Sequence, residues 1–120
     1  DGVEVVEVEA ISVDLVDVDT LAVHAPADTT LHLLVDAAHD LGDIVYLDPD
    51  AGLVEVVVEF VEAPRSSLLM TLQGRANGTT EVMCTVEPLS GGESPPTAAV
   101  VRLLAATLRT AAGSGPPEPA

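Results

Sequence analysis

The run GLVEVVVEFVE at residues 52–62 constrains the fold more than any other stretch of the chain. Val54, Val56, Val58 and Phe60 fall on one face at period two, while Leu53, Glu55, Val57, Glu59 and Val61 share the other. An apolar face backed by a mixed one is the pattern of a strand with one buried side. Its β-branched density places it at the centre of a sheet, and turn signals flank it on both sides.

The remaining elements follow in order. Residues 1–19 are β-branched and acidic, but their alternation slips in phase several times, so they read as one bent strand or two short ones. Seven acids without a base make this segment a poor self-pairing edge, and an arm that pairs with a neighbouring subunit is the alternative. Leu21–His24 is a short strand ended by Ala25-Pro26. Asp28 or Thr29 then caps a helix to about Leu41, with Leu31, Leu34, Val35, Ala38 and Leu41 at helical spacing and Gly42 in the stop position. Asp43–Leu47 is a strand, joined to the central one by the turn Asp48-Pro49-Asp50-Ala51-Gly52.

Residues 67–73 alternate, and Asn77-Gly78 is a preferred two-residue hairpin turn into a strand over 79–87, with Val82, Cys84 and Val86 inward. Ser94-Pro95-Pro96 starts a second helix that runs to about Ala111 and buries Val100 or Val101 with Leu104 and Leu108. The expected fold class is therefore α+β: a two-layer antiparallel β-sheet with two helices, in the order ββαββββα. Residues 1–19 form an acidic β arm or edge strands, residues 20–112 a single domain, and residues 113–120 a disordered tail.

Charge narrows the function. The chain holds 20 acidic residues against 4 Arg and no Lys, for a net charge of −16. Residues 1–62 contribute 16 acids and no Arg or Lys, whereas residues 63–120 contribute 4 acids and 4 Arg. A field of this sign repels phosphate backbones and anionic membranes, so direct nucleic-acid binding is not expected. A basic partner, bound cations or a high-salt environment are the natural complements, as for a halophilic protein, while a high-GC source is the competing origin of the missing Lys. One Phe, one Tyr and no Trp leave little for base stacking or aromatic cages. No apolar run is long enough to span a membrane, and nothing near residue 1 pairs a basic segment with an apolar one, so the chain as given reads as soluble.

The strand ending in LAVHAPADTT at residues 21–30, the hairpins that include NGTTEVMCTVEPL at 77–89 and the long C-terminal helix resemble the START and polyketide-cyclase superfamily with its helix-grip fold. The resemblance covers residues 20–112 and rests on element order with the short APAD and GTTEV stretches. It implies an apolar ligand held between the sheet and the C-terminal helix, and it carries over no catalytic residue. A smaller two-layer module fits the same element order.

Several constellations bear on chemistry. His32, Asp36 and His39 stand at i, i+4 and i+7 on one helical face, with Asp40, Asp43 and His24 nearby, which is the residue set for zinc or nickel; the preferred reading is a solvated polar face, since an amphipathic helix must be polar there anyway. Asp48 and Asp50 are turn residues without the ligand spacing of a calcium loop. The single cysteine, Cys84, shares parity with Val82 and Val86 and reads as a core thiol. No catalytic set and no cofactor is called for. The leading expectation is a non-enzymatic interaction or assembly module whose acidic half, through Glu4, Glu7, Glu9, Asp14, Asp17 and Asp19, engages another subunit or a basic partner. Arg102 and Arg109, seven apart on the last helix, are the complementary cations. A helix-grip binding protein or cyclase is the alternative.

Overall fold

The computed structural model describes residues 11–60, 65–89 and 96–112. Six strands form one antiparallel sheet, with two helices in the chain order the sequence predicts. The elements are β1 (Val13–Asp17), β2 (Thr20–Val23), α1 (Ala27–Leu41), β3 (Gly42–Asp48), β4 (Leu53–Val58), β5 (Ser66–Gly74), β6 (Thr80–Pro88) and α2 (Thr97–Ala111). Across the sheet the order is β1-β2-β6-β5-β4-β3. β4 is therefore not central, as its sequence suggests, but lies one strand in from the β3 edge. It is paired on both sides all the same, which is what its apolar pattern reports.

After β2 the chain crosses by way of α1 to the far edge, then returns strand by strand to β6, which closes the sheet against β2. α1 packs on β3, β4 and β5, α2 packs on β1, β2 and β6, and the helices touch each other, so both cover one sheet face. Between the layers, Leu21, Val23, Leu34, Val54, Val56, Met70, Val82, Val101, Leu104 and Leu108 have no accessible surface. A side chain with none has no water-sized void against it, so these aliphatic residues pack solidly.

Local details depart from the sequence expectations. α1 starts after Pro26 and has no side-chain cap; Asp28 instead accepts the Thr29 amide. Its buried face is Thr30, Leu33, Leu34, Ala37 and Ala38, rotated from the expected stripe because the helix packs against both the sheet and α2; Leu31 and Leu41 lie at the margin of the core. Gly42 is no left-handed stop: at φ 174° it is extended and already belongs to β3. A Cβ there would overlap the Val57 carbonyl oxygen and come 3.0 Å from the carbonyl carbon, so glycine is required by the close approach of β4.

The β5–β6 connection is a three-residue loop rather than a two-residue turn. The Gly78 amide bonds to the Arg75 carbonyl, the Arg75 amide bonds to the Thr79 carbonyl, and Gly78 alone in the loop has positive φ (82°). That is a type I turn closed by a glycine bulge, which leaves Asn77 at an ordinary negative φ. The Asp48–Gly52 turn forms as expected, with Gly52 at φ 72° and the Asp48 carboxylate accepting the Ala51 amide. At the corner between β2 and α1, the buried hydroxyls of Thr30 and Thr80 both donate to the Ala25 carbonyl, which satisfies all three groups.

Candidate interaction surface

Asp14 and Asp17 lie on edge strand β1, which pairs with β2 of its own chain and places Val13 in the core. Glu4, Glu7 and Glu9 lie outside the described residues, as do residues 1–10 of the expected arm and the whole tail. Asp14 Oδ2 stands 2.8 Å from His24 Nε2, Asp17 accepts the Val18 amide, and Asp19 accepts the Thr20 hydroxyl. The Asp19 carbonyl accepts the Cys84 amide, which fixes the β1–β2 turn over β6.

The two arginines of α2 both reach this acidic half. Arg109 donates from Nε and Nη2 to the Val13 carbonyl at 3.2 and 2.7 Å, so it clasps the backbone of β1. Arg102 lines an open notch of about 300 Å³ with Leu15, Val16, Asp17, Val18 and Ala98. A second open notch, of about 390 Å³, lies between the start of α1 and the β3–β4 turn.

His32, Asp36 and His39 are exposed on α1, and His32 Nδ1 lies 2.9 Å from the Asp28 carbonyl, to which it donates. Among the described residues no group of three or more His, Cys, Asp or Glu is gathered to hold a metal ion. Cys84 is buried, and burial, reinforced by the charge of Asp19, pushes its thiol from 9.0 up to about 12. A thiol held protonated at neutral pH is a weak nucleophile.

One constellation escaped the sequence reading. Asp14, His24 and Thr79 come together from β1, the end of β2 and the β5–β6 loop, with Thr79 Oγ1 3.5 Å from His24 Nδ1. The order of groups is that of a carboxylate–imidazole–hydroxyl relay. The hydroxyl contact is at the outer limit of a hydrogen bond, the Thr79 amide is spent on the Asn77 side chain, and both His24 and Asp14 are about half exposed or more. The arrangement holds a surface corner together.

The most distinctive surface is the sheet face opposite the helices. Cross-strand register lays it out in four rows: Asp43, Val57, Ser67 and Glu87; Tyr46, Glu55, Leu69 and Thr85; Asp48, Leu53, Thr71, Met83, Thr20 and Asp17; Gln73, Glu81, Ala22 and Asp14. Seven of these side chains are carboxylates and none is Lys or Arg. Arg65 and Arg75, at the two ends of β5, are paired with Glu59 and Glu81. Neither helix packs here, and Met83 and Tyr46 are 43 % and 48 % exposed.

Compared with protein-family models and with curated proteins, the sequence matches none of them. Among the described residues no helix is long and apolar enough to cross a membrane.

Proposed function

We propose that the chain is a non-enzymatic interaction or assembly module whose acidic surface engages another subunit or a basic partner. The observation that carries this reading is the helix-free sheet face, with seven carboxylates and no cation in its four rows. Such a one-signed field steers a basic partner into encounter and rejects anionic ones. The solid packing between sheet and helices weighs against the helix-grip alternative, which needs a ligand space there.

Two measurements on the intact chain test the reading together. Light scattering after gel filtration, at low and at molar salt, reports association between subunits. Calorimetric titration with poly-L-lysine under the same conditions reports engagement of a basic polypeptide. Salt-sensitive association in either experiment is expected, and a chain that stays monomeric and shows no salt-sensitive heat refutes the module.

A further inference from the structure

We infer that the helix-free face is a seat for a basic amphipathic helix of a partner protein, laid diagonally across the strands. This rests on the proposed role as an interaction module and names its surface and the chemistry of its partner. In the lattice set by the register, Ala22 on β2, Met83 on β6, Leu69 on β5 and Val57 on β4 each step one strand across and one row along, so they form a single apolar diagonal. Rows are two residues apart and strands neighbour each other, so each step is about 8 Å and the diagonal about 25 Å long, the length of about 17 helical residues.

Carboxylates lie along both sides of this diagonal. Glu81, Glu55 and Asp43 follow one side, with Thr71 between the first two; on the other side Asp14 is in line with Thr20, Thr85 and Ser67, and Asp17 and Glu87 lie beyond them. An apolar strip with acids on each side complements a helix that has an apolar stripe flanked by Lys or Arg. Glu55 crosses the strip to accept the Ser67 hydroxyl, and Val57 is only 8 % exposed, so the apolar contact centres on Met83 and Leu69.

Strand addition is the less suitable mode. Register breaks between Leu15 and Asp17 on β1 and between Ile44 and Tyr46 on β3 interrupt both outer strands, and bulged edges pair poorly. A second copy is opposed by its own charge of −16.

The test uses the whole chain and a helical peptide of about 18 residues composed of Leu and Lys at helical spacing. Backbone and methyl NMR shifts are expected at Ala22, Met83, Leu69 and Val57. Asp43→Asn with Glu87→Gln removes two charges from the seat, and Asp36→Asn with Asp40→Asn removes two from the exposed side of α1. The first pair is expected to weaken binding about fivefold and the second less than about twofold, while Met83→Ser weakens it about fivefold. Thermal melts establish that all variants fold. Equal losses from the two charge pairs would show that net charge alone attracts the peptide, and shifts confined to α1 or to residues 1–10 would place the contact elsewhere; either result overturns the seat. Self-association of the chain without peptide, blocked by Met83→Ser, would assign the face to a second copy and overturn it as well. The broader module reading survives any of these results if the chain still associates in a salt-sensitive way.

Discussion

Gly42→Ala isolates a constraint that backbone angles alone would not reveal. At φ 174° the residue is in extended geometry open to any amino acid, so alanine meets no conformational penalty there. The added methyl instead runs into backbone: it overlaps the Val57 carbonyl oxygen and lies 3.0 Å from the carbonyl carbon and 3.2 Å from Val58 Cα. Neither neighbour can swing aside as a side-chain tip would. Restoring ordinary contact requires β3 and β4 to part by about 1 Å, which stretches the neighbouring ladder bonds past useful length. Two such bonds at about 1 kcal/mol each, with about 1 kcal/mol of residual overpacking, give a loss of about 3 kcal/mol. For a domain of this size that lowers the melting temperature by more than about 10 °C. Gly78→Ala is the control: φ is 82° but nothing lies within 4 Å of the added Cβ, so only the left-handed strain of about 1 kcal/mol is expected. Urea unfolding followed by circular dichroism measures both. A loss below about 0.5 kcal/mol for Gly42→Ala, or a larger loss for Gly78→Ala, would refute the steric argument.

Further outcomes follow from the same structure. Leu104→Ala empties a site with no accessible surface between α2 and the sheet and should cost about 3 kcal/mol in chemical denaturation. Arg109→Met removes the two bonds to the Val13 carbonyl, and hydrogen exchange should quicken in β1 while the amides of β4 and β5 keep their protection. Because the Cys84 thiol is raised to about 12, the folded chain keeps a proton that the unfolded chain releases above pH 9.0. Stability therefore falls as pH rises from there towards about 12, and Cys84→Ala should flatten that part of the pH profile. Added salt screens the repulsion within a chain of net charge −16 and should raise the melting temperature.

Features that depend on local pattern were legible in the sequence. Period two identified the inward sides of β4 and β6, and the spacing of Val100, Val101, Leu104 and Leu108 identified the buried face of α2. Features that depend on partners distant in sequence were not. Nothing within residues 52–62 says whether β4 sits third or fifth in the sheet, because that follows from β2 pairing with β6. Gly42 ends α1 as its letter suggests, but the letter does not say that it also makes room for Val57, and Asn77-Gly78 serves a two-residue turn or a three-residue loop equally well. For the surface, the acid count and the reach of Arg109 towards the acidic half were readable. Its bond to a carbonyl, the His24–Asp14 corner and the diagonal on the sheet face were not, since each depends on cross-strand neighbours that only the register supplies.

The crossover through α1 also sets an order of events in time. β3 to β6 are consecutive hairpin partners and can pair as soon as each is made, whereas Thr20 of β2 must wait for Met83 of β6, which follows it by 63 positions. At a synthesis rate of 5–20 residues per second, that wait is on the order of 3 to 13 s. For that interval the β1–β2 hairpin carries an open edge on β2, the condition under which strands find each other between molecules. Asp14, Asp17 and Asp19 oppose such pairing between nascent chains until β6 arrives.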